Sequence, residues 1–71
     1  MDGRREWLQG FTTDALLMQY DSIEKALDED DQVKGGKKMY EVREYGGWRG
    51  WADDIEAELD RRQASYHKIK W

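Results

Sequence analysis

The sequence has no cysteine and no proline, and its 71 residues include a single histidine, His67. Without cysteine the chain can form neither disulfide bonds nor thiolate metal sites, and nothing indicates an oxidising compartment. One histidine cannot build a metal cluster, and it is the only ordinary proton shuttle near neutral pH. No stretch approaches 18 consecutive apolar residues, so we expect neither a membrane span nor a signal peptide, and a cytoplasmic location.

Motifs that mark catalysis or cofactor binding are missing as well. The segment Gly35-Gly36-Lys37-Lys38 lacks the upstream glycine and the following Ser or Thr of a phosphate-binding loop. The acidic run over residues 28–31 does not fit an EF-hand calcium loop, because Val33 and Met39 fall where that loop needs Gly and Glu. We therefore expect a protein that is not an enzyme and that uses no metal and no cofactor.

What the chain does have is charge and aromatic side chains. Charged residues make up 39 %, with 16 acidic against 12 basic groups for a net charge of −4, and there are four Trp, four Tyr and one Phe. This aromatic content argues against disorder, because aromatic side chains carry the largest burial energy per residue. A core of this size rarely supplies more than about 3–5 kcal/mol. We expect one small folded domain, residues 1–71, that is completed by a partner or by self-association.

The first amphipathic helix is predicted over residues 13–28. Thr12 is its predicted N-cap, and Phe11 and Leu16 have the spacing of a hydrophobic staple around that cap. Apolar residues then recur at helical spacing, so one stripe faces a core. A short turn over residues 4–9 is expected to pack on the same core.

The second amphipathic helix is predicted over residues 48–64. Acidic residues occupy the side opposite its apolar stripe, and Arg61 and Arg62 near its end complement the helix dipole. The stripe consists of Trp48, Trp51, Ile55 and Leu59.

Two further segments predict β-structure. The pair Gly35-Gly36 between extended runs predicts a hairpin over residues 32–45. The tail over residues 66–71 alternates apolar and polar side chains, as a half-buried strand does. One objection to the hairpin is that Lys34 would face Lys37 across it, and facing like charges are destabilising. The favoured fold class is α+β, in the order helix, β-hairpin, helix, terminal strand, and the alternative is an all-α helical hairpin with an irregular middle.

The acidic run follows the first predicted helix, where the helix dipole disfavours each exposed anion by about 0.3–1 kcal/mol. The sequence offers no folding role for these carboxylates, so we predict that they contact a basic partner protein; a solvated helix end is the plainer reading. Aromatic anchors of the same interface are expected near Arg43 and Arg49, because Trp and Tyr dominate interface hot spots. The predicted partner-binding residues are Asp28, Glu29, Asp30, Asp31, Tyr45, Trp48 and Trp71.

Two other functions compete with this prediction. Basic residues interleaved with aromatic ones are typical of proteins that bind single-stranded nucleic acid, although the net charge of −4 opposes binding to a polyanion. The third hypothesis is a self-associating structural protein, with a homodimer as its simplest form. The nucleic-acid hypothesis would use Lys34, Lys37, Lys38, Tyr40 and Tyr45.

The segment Gly46-Gly47-Trp48-Arg49-Gly50-Trp51, followed by an acidic helix, completes a short, cysteine-free, acidic and Trp-rich chain. In that composition the chain resembles small phage- and prophage-encoded proteins of the anti-CRISPR or host-takeover kind. The resemblance covers the whole chain and includes no shared motif, so it assigns no role to any residue. It implies an inhibitor in the host-cell cytoplasm that occupies the surface of a host defence or nucleic-acid-handling protein.

Overall fold

The computed structural model describes residues 3–71 and contains three α-helices. They are α1 (Gly3–Gln9), α2 (Thr13–Asp31) and α3 (Gly46–Arg61). Helix α3 is central, because α1 and α2 each pack against it. The core combines apolar side chains of all three helices with Val42 from the α2–α3 connection and Ile69 from the tail. None of these helices is both long and apolar enough to cross a membrane.

The fold class is all-α, and the predicted α+β class is wrong, because no strand or sheet forms within residues 3–71. The alternative with an irregular middle segment is the one that fits. Gly35 and Gly36 do adopt positive φ values of 72° and 101°, as the predicted turn requires. The residues on either side of this turn nevertheless do not pair as strands.

The hairpin is replaced by a side-chain interaction. The Asp30 carboxylate accepts the backbone N–H of Tyr40 at 3.1 Å and that of Val42 at 2.8 Å. In a hairpin, the acceptors of these two N–H groups would be carbonyls of the neighbouring strand. After them the chain makes a single helical turn, in which the Tyr45 N–H donates to the Glu41 carbonyl at 3.1 Å. The connection is thus fixed to the end of α2 without any sheet.

The predicted terminal strand is also wrong, although the tail lacks helical structure. Its Ile69 N–H donates to the Tyr20 hydroxyl at 2.9 Å, and the Ile69 side chain is 6 % exposed. The Tyr66 ring packs edge-on against the Tyr20 ring, with centroids 5.5 Å apart. The tail therefore packs on α2, where the Tyr20 side chain holds it.

The start of α2 confirms the predicted cap. The Thr12 hydroxyl oxygen accepts the Ala15 N–H at 3.1 Å, and Leu16 is fully buried. The helix continues three residues beyond the predicted end at 28. The predicted turn over residues 4–9 lies within α1, where Leu8 is buried and Trp7 is 56 % exposed.

Helix α3 begins two residues before the predicted position 48 and ends three residues before position 64. Its C-terminus is closed by two backbone bonds of 3.0 Å, from Gln63 N–H to the Asp60 carbonyl and from Ala64 N–H to the Leu59 carbonyl. These two bonds form a Schellman motif. Gln63 accordingly has a φ of 58°, a position at which glycine is the usual residue.

Arginine side chains connect the helices at two places. Arg4 and Arg5 of α1 both donate to the Asp54 carboxylate of α3, at 2.5 and 2.8 Å. Near the end of α3, Arg62 donates to Glu58 at 2.7 Å and reaches the Thr13 hydroxyl at 3.2 Å. The buried carboxylates of α3 therefore hold the other two helices in place.

Candidate protein interaction surface

The structure gives half of the acidic run an intramolecular role. Asp30 is 1 % exposed and is occupied by the backbone of the connection. Asp31 binds the Arg43 guanidinium through both carboxylate oxygens, at 3.0 and 2.9 Å. Hydrogen bonding to Arg43 lowers the pKa of Asp31. The expectation that the run has no folding role is therefore wrong for these two residues, and the interior position of Asp30 keeps it from touching a partner.

The other two acidic residues, Asp28 and Glu29, are exposed and make no ion pair within residues 3–71. Asp28 lies beside the tail, in a cavity that it shares with His67 and Lys68. Glu29 faces a different side of α2, where its negative charge, and then hydrogen bonding to it, raises the pKa of the Tyr40 hydroxyl. The four residues of the acidic run thus lie in four different environments.

The whole of α2 is acidic, with seven carboxylates against the single Lys25. Two of these carboxylates serve the fold, as described above, and Asp21 pairs with Lys25 at 3.0 Å. The remaining four carboxylates have no ion pair among the described residues. They are Asp14, Glu24, Asp28 and Glu29.

Trp71, one of the predicted anchors, is half-buried and is covered by arginines of the same chain. The Arg49 guanidinium lies 4.7 Å from the centre of a Trp71 ring, a cation–π contact. Arg43 donates to the Trp71 carbonyl while it binds Asp31. Trp71 thus has internal contacts, and it lines a cavity of about 250 Å³ with Tyr45 but not with Trp48.

Tyr45 and Trp48, the other two predicted anchors, lie together in an apolar groove at the start of α3. Tyr45 is 60 % exposed, and Trp48 is half-buried. The groove has a volume of about 330 Å³, and Arg4, held by Asp54, forms its rim. We call this groove the tyrosine groove, and its lining residues are Arg4, Tyr45, Gly47, Trp48 and Trp51.

A second apolar cavity adjoins the first and shares Trp48 and Trp51 with it. It lies between α2 and α3 and has a volume of about 340 Å³. Its rings are in contact, with centroids 6.1 Å apart for Tyr40 and Trp48 and 6.2 Å apart for Trp48 and Trp51. We call it the aromatic pocket, and its lining residues are Ser22, Lys25, Ala26, Glu29, Tyr40, Trp48 and Trp51.

Sequence reasoning did not place Trp51 or Tyr40 in the interaction surface. It assigned Trp51 to the core and Tyr40 to the nucleic-acid hypothesis. The spacing of Trp48 and Trp51 was the available signal, since residues three apart are neighbours on one helix face. The contribution of Tyr40 depends on its attachment to Asp30, and no local pattern reveals that bond.

The residues of the nucleic-acid hypothesis do not form one surface of free cations and stacking rings. Lys34 and Lys37 are exposed, but Lys38 pairs with Glu44 at 3.1 Å. The Tyr40 ring contacts Trp48 at an angle of 73°, and its hydroxyl faces a carboxylate. Of the two tyrosines in that hypothesis, Tyr45 is therefore the one with a widely exposed ring.

Over residues 3–71, no three His, Asp or Glu side chains are grouped so that they could hold a metal ion. Comparison of the chain with protein-family models, with curated proteins and with solved structures found no match.

Proposed function

We propose that the chain is a non-catalytic protein-binding module that docks on a basic surface of another protein. The observation that carries this proposal is the pair of adjoining apolar cavities that share Trp48 and Trp51 and open beside acidic α2. Trp and Tyr contribute most of the binding energy at protein interfaces. Each of the two cavities is lined by three such side chains and is open, so it suits an apolar or aromatic side chain of a partner.

The charge of α2 favours a partner of opposite sign. Four of its carboxylates make no ion pair within residues 3–71, and one of them, Glu29, lines the aromatic pocket. Complementary charges speed association and exclude partners of the same sign. An apolar site beside an acidic helix therefore fits a cationic surface better than a neutral or acidic one.

In its most specific form, the proposal is a phage-encoded inhibitor of a host defence or nucleic-acid-handling protein. Its support is the compositional resemblance of the whole chain to such inhibitors. Proteins that handle nucleic acids carry basic surfaces, because they must neutralise phosphates. Inhibition by covering such a surface needs no catalytic group on the inhibitor.

The proposal is tested with two synthetic amphipathic helical peptides that share one apolar face and carry either Lys and Arg or Glu on the other. Fluorescence anisotropy at two salt concentrations should show tighter binding of the cationic peptide, weakening as salt rises. Tyr45→Ser should weaken binding about fivefold, the effect of losing an interface aromatic that contributes about 1 kcal/mol. Trp7→Ser is the matched control, because Trp7 is 56 % exposed and lines neither cavity.

Three results would contradict the proposal. The first is equal binding of the two peptides, and the second is an equal effect of Tyr45→Ser and Trp7→Ser. The third is tighter, salt-dependent binding of a single-stranded oligonucleotide, which would favour the nucleic-acid hypothesis instead.

A further inference from the structure

The aromatic pocket has a chemistry of its own within the proposed interaction surface. Three π-systems line it, from Tyr40, Trp48 and Trp51, and a carboxylate, Glu29, stands at its edge. The Tyr40 ring makes an angle of 73° with Trp48, and Trp48 is tilted by 40° from Trp51. The pocket is therefore bounded by rings in different planes, and the faces of such rings carry partial negative charge.

The Glu29 carboxylate lines the pocket with the three rings, so a ligand that contacts the rings can also contact this carboxylate. Its negative charge, and then hydrogen bonding to it, raises the pKa of the Tyr40 hydroxyl, in agreement with that placement. Glu29 lies in the last turn of α2 and makes no ion pair within residues 3–71. A carboxylate beside aromatic faces, without a cation of its own, favours a positively charged ligand.

Lys25 is the basic residue that lines the pocket, and its position matters for this argument. Its ammonium group binds the Asp21 carboxylate at 3.0 Å, one turn back along α2. The charge of Lys25 is thus matched by a neighbour outside the pocket lining. Glu29 remains as the charge available to a ligand.

We propose that the aromatic pocket binds an arginine side chain of the partner protein, with the guanidinium against Trp48 and Trp51 and hydrogen-bonded to Glu29. A guanidinium fits both halves of this site, because it is planar, stacks on aromatic faces and donates two parallel bonds to a carboxylate. This chain already uses the same contact internally, where Arg49 lies 4.7 Å from a Trp71 ring centre. The inference rests on the proposed function and deepens it by naming the residue that the partner presents.

The test uses the full chain and the small probe N-acetyl-arginine methylamide, monitored by NMR through the indole N–H signals of the four tryptophans. The signals of Trp48 and Trp51 should shift on titration, while that of Trp7, which lies outside both cavities, should not. The matched probe N-acetyl-citrulline methylamide has nearly the same shape and no charge. It should bind at least about threefold more weakly, because it offers the rings no cation.

Two variants locate the charge contribution. Glu29→Gln should weaken arginine binding about threefold, the size of an exposed ion pair. Glu24→Gln removes the same charge from the same helix, but Glu24 lies in the cavity beside the tail and should leave the affinity unchanged. Both substitutions are at solvent-accessible positions, so circular dichroism should show an intact helical fold.

The inference is overturned if citrulline and arginine probes bind equally, if all four indoles shift alike, or if Glu29→Gln has no larger effect than Glu24→Gln. A stronger response to N-acetyl-lysine methylamide would also overturn the assignment of a guanidinium. These results are separate from the peptide experiment. The cationic peptide can bind through the tyrosine groove when the small probe fails, and then only this inference is lost.

Discussion

Asp30 shows how much a single side chain can determine in this small domain. Its carboxylate holds two backbone N–H groups of the connection and so brings Tyr40 to the aromatic pocket and Val42 to the core. The residue is part of a run that otherwise has the composition of a solvated helix end. Its role is a tertiary one, because its partners are ten and twelve residues further along the chain.

We predict that Asp30→Ala lowers the free energy of unfolding by about 2–4 kcal/mol, because two N–H groups, one of them buried and the other partly buried, lose a charged acceptor. Urea denaturation monitored by circular dichroism measures the loss. Asp28→Ala is the control, since Asp28 is exposed, and it should change stability by less than about 0.5 kcal/mol. Equal effects of the two substitutions would remove the structural role assigned to Asp30.

Gln63 occupies a backbone position that suits glycine. Its φ of 58° lies in the left-handed region, and its side chain is exposed. Gln63→Gly should raise the free energy of unfolding by about 0.5–1 kcal/mol. Glycine removes the steric cost of the left-handed conformation, and this gain exceeds the loss that comes from a more flexible unfolded chain. Thermal denaturation checks this. Gln63→Ala should bring no such gain, and a gain of equal size with alanine would contradict the conformational argument.

At the scale of elements, the tail is held on α2 by a tyrosine with two hydrogen bonds. The Tyr20 hydroxyl donates to Glu56 at 2.6 Å and accepts from the Ile69 N–H at 2.9 Å. Tyr66→Phe offers a comparison on the tail itself, because the Tyr66 hydroxyl bonds to Asp60 at the surface. The Tyr20 hydroxyl is thus the acceptor of a buried backbone N–H group, whereas the Tyr66 hydroxyl bonds only at the surface.

We expect Tyr20→Phe to cost about 1–3 kcal/mol, because the buried Ile69 N–H is left without an acceptor. Hydrogen exchange of the Ile69 amide should accelerate, since the tail then opens more often. Tyr66→Phe should cost less than about 1 kcal/mol and leave that amide protected. If Ile69 exchanges at the same rate in both variants, the Tyr20 hydroxyl does not hold the tail.

The sequence allowed the helices to be predicted and failed at the segments between them. The cap at Thr12 and the stripes of α2 and α3 are local patterns. The structure contains both helices, α2 beginning at the predicted residue and the other three helix ends displaced by two or three residues. The hairpin and the terminal strand depended on which acceptors the backbone would find. Side chains of α2, Asp30 and Tyr20, supply those acceptors, and period-two patterns carry no information about them.

For the interaction surface, the residue types were easier to predict than their grouping. Tyr45 and Trp48 line one groove as a pair, whereas the four acidic residues of the run separate into interior, paired and free positions. A helix turns by about 100° per residue, so adjacent side chains diverge, and of four consecutive residues only the first and the last are neighbours on one face. The like charges of this run therefore do not form one surface.

At the scale of the whole molecule, buried or bridging carboxylates connect separate parts of the fold. Hydrogen bonds from Arg61 and then Arg62, against the opposing effect of burial, lower the pKa of Glu58 to about 2. The pKa of Asp54 is also lowered: burial acts to raise it, but hydrogen bonds from Arg5 and Arg4 outweigh that effect. Both groups bind protons more readily once the chain unfolds, so acid favours the unfolded state.

We therefore predict that stability is fully present above about pH 5 and falls as the pH drops toward 2. The Glu58 carboxylate alone should account for about 2–3 kcal/mol of that loss, from the difference between its ordinary pKa and its value in the fold. Unfolding free energies at several pH values measure the slope. Glu58→Gln should flatten it, and an unchanged slope in that variant would contradict the prediction.

The molecule is flat, measuring 40 × 27 × 16 Å with a radius of gyration of 13.0 Å. A compact chain of this length would have a radius of gyration near 11 Å, roughly. The molecule is therefore more extended than a compact domain of its length. Sedimentation velocity over a hundredfold concentration range tests the self-association hypothesis, which predicts a dimer in the absence of any partner.

The connection between α2 and α3 has a consequence for how the chain can be divided. Residues 32–39 include no buried side chain, and three of them are lysines. We therefore expect trypsin to cleave this stretch first. The pieces would each keep half of the core, with α1 and α2 on one and α3 and the tail on the other. Because the packing between α3 and its neighbours does not run through the nicked stretch, the two fragments should reassemble by complementation, and the molecule can serve as a split reporter.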